Sequence, residues 1–178
     1  METQVILVNE KDQQIGTEEK MKAHREGLLH KAFSIFLVDG EGKTLIQKRA
    51  EGKYHSGGVW SNSCCSHQYE GESTFESAAR CLKDELGIEA KLDWNSLMET
   101  GFFKYYADLG EMKEHEMDHV FVVYLGKEPE VVPNPEEVSE VRWLSCQDID
   151  RELQEGVEYT AWFEKAYDIA KMFISYRR

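Results

Sequence analysis

Ser66-His-Gln-Tyr-Glu-Gly-Glu-Ser-Thr-Phe-Glu-Ser-Ala-Ala-Arg-Cys-Leu-Lys-Asp-Glu-Leu-Gly-Ile88 is the stretch whose reading decides the fold. Ser73-Thr-Phe-Glu76 within it is a capping box, in which the Ser oxygen and the Glu carboxylate satisfy orphan amides at a helix start. Phe75, Ala78, Ala79, Leu82 and Leu86 then form one apolar stripe, and Gly87 stops the helix. Glu72 and Arg80 read as an ion pair that shapes the turn into this helix. Cys81 and Glu85 stand at i and i+4, neighbours on one helix edge.

Working outward, Gln4–Val8 reads as a short strand, with a polar turn and a charged stretch following to Glu26. Lys31–Asp39 and Thr44–Arg49 read as strands of a hairpin across Asp39-Gly-Glu-Gly-Lys43. Gly57-Gly58 punctuates before a strand that runs through Cys65. Gly101–Ala107, Met117–Leu125 and Glu140–Leu144 are further strands, the second apolar enough to sit centrally. Pro129–Glu137 is a loop, Ser145-Cys-Gln-Asp148 opens a short helix, and Thr160–Tyr176 is a longer one. Mixed strands and helices with hairpin connections indicate one α+β or mixed α/β domain spanning residues 1–178.

A chain of 178 residues can bury a core without disulfide staples. With 21 Lys and Arg against 34 Asp and Glu, the net charge of −13 argues against nucleic acid as a partner. An anionic small substrate would need local Lys and Arg or a metal to receive it. No apolar run approaches the roughly 20 residues of a membrane helix. The N-terminal residues lack a signal-peptide pattern, so no membrane partner is expected and the cytoplasm is the expected compartment. The four cysteines (Cys64, Cys65, Cys81 and Cys146) show no CxxC spacing and read as reduced thiols.

Two short segments carry the chemistry: Trp60-Ser-Asn-Ser-Cys-Cys-Ser-His67 and Glu114-His-Glu116. If both are extended, Cys65 and His67 share a face, as do Glu114 and Glu116, while Cys64 points the other way. A thiol, an imidazole and two carboxylates can then converge as metal ligands and an acid–base pair. His55, His115 and His119 receive no role, Cys146 reads as a structural thiol, and Lys48 as solvated.

From Ser66 to Ile88 the chain resembles the Nudix box, G-x5-E-x7-R-E-U-x-E-E-x-G-U with U aliphatic. Glu72, Arg80, Leu82, Glu85, Gly87 and Ile88 match, whereas Ser66, Cys81 and Asp84 depart from it. In a hydrolase, carboxylates at positions 81 and 85 would hold divalent ions against a pyrophosphate. A thiol at 81 is a poor partner for Mg²⁺, a hard cation.

Gly27-Leu-Leu-His-Lys-Ala-Phe-Ser34, the 60–67 segment, Glu114-His-Glu116 and Thr160-Ala-Trp162 together resemble the type I isopentenyl-diphosphate Δ-isomerases of the Nudix superfamily. The likeness runs from about Val5 to the last helix. It implies a single Nudix-like domain with a central mixed sheet flanked by helices, residues 1–26 being an extension that contributes to the site. It also implies interconversion of isopentenyl and dimethylallyl diphosphate, a small-molecule substrate. Carried over residue by residue, the catalytic thiol falls on Cys65 and the carboxylate on Glu116. Tyr105, with Tyr106 as its neighbouring rival, falls on the tyrosine beside the acid, and Trp162 on the aromatic facing the cation. His24, His30, His67, Glu114 and Glu116 fall on a metal site. Glu85 falls on the carboxylate that helps hold a diphosphate-bridging Mg²⁺. Lys20, Arg49 and Lys53 fall on the diphosphate contacts, and one basic position of some relatives is Cys81 here.

These residue types suit the reaction. Protonating an unactivated alkene gives a tertiary carbocation, and a second group must take a proton from the adjacent carbon. An aromatic face attracts that cation, and a dry pocket keeps water from capturing it. Three imidazoles favour Zn²⁺ or Mn²⁺ over Mg²⁺ in the His/Glu site. The rivals are a Nudix-type hydrolase of a diphosphate compound, disfavoured by Cys81, and a metal or thiol sensor, which would not need the Lys/Arg set or Trp162.

Overall fold

The apolar run around Ile35 becomes the axis of the sheet. The computed structural model describes residues 3–89, 97–125 and 128–175. In chain order they form β1 (Gln4–Val8), β2 (Gln14–Glu19), α1 (Lys20–Glu26), β3 (His30–Val38), β4 (Thr44–Arg49), β5 (Trp60–Ser61), β6 (Cys64–Ser66) and α2 (Thr74–Leu86). Then follow β7 (Leu97–Asp108), β8 (Lys113–Tyr124), β9 (Val138–Leu144), α3 (Cys146–Glu155) and α4 (Phe163–Ser175). None of these helices is long and apolar enough to cross a membrane.

β3 runs parallel to β8 from His30↔Glu116 to Val38↔Tyr124. Its other edge is shared by β1 at His30, β6 at Phe33 to Ile35, and β4 at Val38. A strand so enclosed is normally apolar on both faces, and β3 is so over its C-terminal half. Phe33, Ile35 and Leu37 pack with Leu82 and Leu86 of α2, whereas Phe36 and Val38 pack with Phe163, Tyr167 and Ala170 of α4.

The β3–β4 hairpin expected from sequence is a single bridge, Val38↔Thr44. β4 diverges to pair with β9 from Thr44↔Leu144 to Arg49↔Val138, leaving room for β6 beside β3. The strand expected through Cys65 is likewise split into β5 and β6. The charged stretch to Glu26 folds as β2 and α1. Its helix is capped by Glu19, whose carboxylate accepts from the Met21 and Lys22 amides, and closed by Gly27 in the left-handed region. α4 begins at Phe163 rather than Thr160, and Tyr176 lies outside the described residues.

α2 matches its sequence reading closely. Ser73 and Glu76 form both bonds of the capping box and Gly87 is left-handed. A Cβ at Gly87 would lie 2.5 Å from the Val132 carbonyl oxygen, so only glycine fits. Phe75, however, is exposed, and Ser77 and Cys81 take buried places on the stripe.

The Glu72–Arg80 pair forms, with Arg80 Nε donating to Glu72 Oε1 at 2.8 Å and Nη2 donating to the His67 carbonyl at 3.0 Å. The Arg80 guanidinium, joined by the Ser77 hydroxyl and the Tyr69 amide, outweighs burial and holds Glu72 down to about 2 from its ordinary 4.5. Glu72 therefore stabilises the fold above about pH 4.5, and that contribution disappears as pH falls toward about 2. Urea denaturation across this window is expected to show a smaller pH-dependent loss in Glu72→Gln than in the parent; equal losses would count against the pair.

Candidate active site

Strand parity assembles the site. Cross-strand partners share a face, and the register gives Ser34↔Cys65, His30↔Glu116 and Tyr105↔Glu116. Glu114, Glu116 and Asp118 stand on that same face of β8, where Val120 and Val122 further along pack against α4. One half of the face is therefore apolar under α4, and the other half carries the titratable groups. Cys64 pairs with Ile35 and points into the α2 core, as its parity required.

Glu114 and Glu116 are each only 2% exposed. The Tyr105 hydroxyl bonds Oε2 of both, at 2.9 and 2.6 Å. Tyr105 is buried whereas Tyr106 is exposed, which settles which tyrosine faces the acids. His24 Nδ1–H donates to the Lys20 carbonyl and His30 Nδ1–H to the Leu28 carbonyl, both at 2.7 Å. That commits Nδ1 of each as a donor and turns Nε2 inward, the orientation that metal-binding histidines need. His67 Nε2 lies 2.8 Å from Glu116 Oε1. His24 Nε2, His30 Nε2 and Glu114 Oε1 are buried without aligned hydrogen-bond partners. Ligand atoms of His24, His30, His67 and Glu116 all lie within 4.8 Å of one another. Orphaned lone pairs on such a donor set fit a divalent cation.

Burial pushes the Glu116 carboxyl up, but hydrogen bonding and charge from His30, with Tyr105, outweigh it and hold Glu116 at about 2. Burial raises the Cys65 thiol well above its usual range, reinforced by Asp118 and Glu116. Burial also drives His67 well down, leaving a neutral imidazole, and keeps Tyr105 a hydroxyl. A neutral thiol thus lies in the same cleft as an ionised carboxylate.

The cleft is walled by Lys20, Arg49, Lys53, Arg80, Glu85 and Trp162. Trp162, immediately before α4, is held by its Nε1–H donating to Asn62 Oδ1 at 3.1 Å, with the Arg49 guanidinium 5.6 Å from its ring. Arg49 is anchored by donating to the Ser56 and His55 carbonyls, and Lys53 pairs with Glu137. Lys20 lies 5.3 Å from the Tyr54 ring, and burial followed by Lys53 lowers its pKa. Glu85 Oε2 accepts from Gln47 at 2.8 Å, and burial raises its carboxyl.

A NUDIX domain is matched over residues 28–163. The chain is 43% identical over 169 residues to isopentenyl-diphosphate Delta-isomerase 1 of Aromatoleum aromaticum, covering 94% of this chain and 92% of that protein. It is 44% identical over 168 residues to the isopentenyl-diphosphate Delta-isomerase of Photobacterium profundum, covering 92% and 91%. The chain belongs to the type I isopentenyl-diphosphate Δ-isomerases of the Nudix superfamily. Fold likeness agrees: a crystal structure of a Deinococcus radiodurans protein superposes with a TM-score of 0.69 at 19% identity, covering 94% of this chain and 98% of that one. The MutT protein of Methanosarcina mazei gives 0.61 at 17%, covering 83% and 96%.

Every residue that the isomerase resemblance singled out is brought to this one cleft and its adjoining cage. Two sequence readings are corrected. Cys64 and Cys81 are not free thiols but are joined as a disulfide, with Cα atoms 6.5 Å apart, within bridging reach. No local spacing announces this pair, because packing of β6 on α2 makes it. Cys65 and Cys146 are free. His55, given no role from sequence, enters the site with Nε2 2.7 Å from Glu114 Oε1. Its signal was its place on the loop just before the 60–67 segment, too weak to read alone. His115 and His119 do lie elsewhere, on the Gly27 carbonyl and between Asp12 and Glu99.

Tyr105→Phe would leave two buried carboxylate oxygens without their donor. It should destabilise the protein by about 1.5–3 kcal/mol in urea titrations, while Tyr106→Phe should be neutral.

Proposed function

We propose that the chain interconverts isopentenyl diphosphate and dimethylallyl diphosphate, with Cys65 and Glu116 exchanging protons with the substrate's allylic carbons. The observation carrying this reading is that the Cys65 thiol and the Glu116 carboxylate line the same cleft as Trp162. One group adds a proton to the terminal alkene carbon, generating a tertiary cation. The other removes a proton from the neighbouring carbon, moving the double bond. Between them they hold one proton, as a reversible allylic shift requires. Tyr105 bridges Glu116 to Glu114 and steadies the carboxylate as its proton comes and goes. The Trp162 ring faces the cleft and attracts the cation, worth about 2 kcal/mol or more once desolvated. Its anchor to Asn62 keeps it from rotating away.

Lys20, Arg49 and Lys53 would receive the diphosphate, offsetting a protein charge of −13. Glu85 would help hold a Mg²⁺, which would supply positive charge to the diphosphate. His24, His30, His67, Glu114 and Glu116 would hold a second divalent ion, Zn²⁺ or Mn²⁺ by the softness of three imidazoles. Bound there, such an ion supplies positive charge that keeps the two carboxylates together. The compartment proposed is the cytoplasm, since a multiply charged diphosphate does not cross a bilayer unaided. A hydrolase reading is weaker, because Cys81 removes the carboxylate that would accompany Glu85, and its sulfur is committed to Cys64.

Metal-replete protein with Mg²⁺ should convert isopentenyl diphosphate to its isomer in D₂O with deuterium entering the product and no phosphate released. Cys65→Ala and Glu116→Gln should each lower turnover by at least about 100-fold, within the usual range for an acid–base group, whereas Cys64→Ala should remain active. Phosphate release without isomer formation would reverse the assignment in favour of hydrolysis.

A further inference from the structure

A diphosphate is best received by ammonium groups that already stand together, and like charges resist being gathered. Lys20 and Lys53 both line the cleft, near enough that Lys53, after burial, helps to lower the Lys20 pKa. Acids compete for both of them. Lys53 is paired with Glu137, and Glu114, Glu116 and Glu137 all attract Lys20. The two lysines nevertheless converge on one aromatic ring. Lys20 Nζ lies over the Tyr54 ring at 5.3 Å from its centroid, and Lys53 Nζ at 5.9 Å. Both fall inside the roughly 6 Å over which a ring face attracts a cation.

Tyr54 is itself held in place. Its ring stands edge-on to His55 at 4.4 Å and to His24 at 5.9 Å, so it leans on the His/Glu cage. Its loop closes tightly, with the Lys53 amide donating to the Ala50 carbonyl and the Gly58 amide to the Arg49 carbonyl. A Cβ at Gly57 would lie 2.4 Å from the Glu51 carbonyl oxygen, which leaves the loop no slack there. Yet Tyr54 is 39% exposed while lining the cleft, so core packing does not account for it.

On the reading of Lys20 and Lys53 as diphosphate contacts, we propose that Tyr54 is a positioning residue, whose ring gathers the two ammonium groups before the anion binds. Ordering two long side chains in advance removes a cost that binding would otherwise carry.

The probe is inorganic pyrophosphate with Mg²⁺, titrated calorimetrically into the full chain. Tyr54→Leu, which keeps bulk but no π face, should weaken binding at least about 5-fold, the low end for losing the order of two lysines. Tyr54→Phe should stay within about 2-fold of the parent, because the ring face remains. In the isomerisation assay Tyr54→Leu should raise KM and leave kcat within about 2-fold, a split that general loosening of the site would not give. In NMR spectra of the parent, which need no variant, the ring should shift the ε-methylene protons of Lys20 and Lys53 upfield. Unshifted protons, unchanged pyrophosphate affinity in Tyr54→Leu, equal weakening in Tyr54→Phe, or a loss of kcat at constant KM each overturn the role. A parent that binds no pyrophosphate removes the diphosphate end, and this proposal with it. A parent that binds pyrophosphate but isomerises nothing would sink the isomerase reading alone.

Discussion

Two carboxylates buried side by side on β8 are the constraint to which the rest of the site answers. Glu114 and Glu116 sit two residues apart on one face of a central strand, almost without solvent. Removing a carboxylate from water costs several kcal/mol even after relaxation, and placing a second beside it adds repulsion. The chain meets this cost locally. Tyr105 donates to both, and imidazoles from α1, β3, the 50–58 loop and the segment after β6 surround them. The imidazole nitrogens and carboxylate oxygens gathered there could also hold a divalent cation between the two acids.

The same constraint explains how the sheet is divided. A strand pair buried on both faces is normally apolar throughout, and β3 and β8 obey this only over their C-terminal halves. There Phe36, Val38, Val120 and Val122 lie under α4. Toward their N-terminal ends the same face carries His30, Ser34, Glu114, Glu116 and Asp118. The boundary falls where α4 begins, and Trp162 stands at that boundary with one edge on Asn62 and its ring toward the cleft. Packing and chemistry thus share one surface, and a single aromatic separates them.

Much of this was legible in the sequence because it depends on local rules. The capping box and Gly87 bounded α2 correctly, and period-two alternation told Cys65 from Cys64 without any coordinates. Tertiary pairing was not legible. Thr44–Arg49 has the pattern of a hairpin partner for β3, but β9 competes for it over a longer ladder and wins. The Cys64–Cys81 pair was hidden for a similar reason, since it arises where β6 meets α2. α1 escaped notice because seven residues carry too little periodicity, and its cap is a Glu rather than the usual Ser, Thr, Asp or Asn. His55 has no distinguishing neighbour in the sequence, and only the loop's backbone turns it toward Glu114.

The helix that decides the fold also shows why this scaffold need not hydrolyse its substrate. A Nudix-type hydrolase uses neighbouring carboxylates on one helix edge to gather metal ions around a pyrophosphate. Here that edge keeps Glu85 but spends position 81 on a sulfur turned into the core. What remains beside Glu85 is Gln47, which offers a hydrogen bond and no charge. On the proposed reading this single carboxylate would help hold a Mg²⁺, without the neighbouring carboxylates that a hydrolase gathers to activate water. Cys65 and Glu116, the proposed reactive groups, lie instead on the strands, on the face opposite the one that receives α2. On the same reading, Glu85 of the helix would serve the diphosphate end of the substrate, and the buried acids of β8 would carry the chemistry.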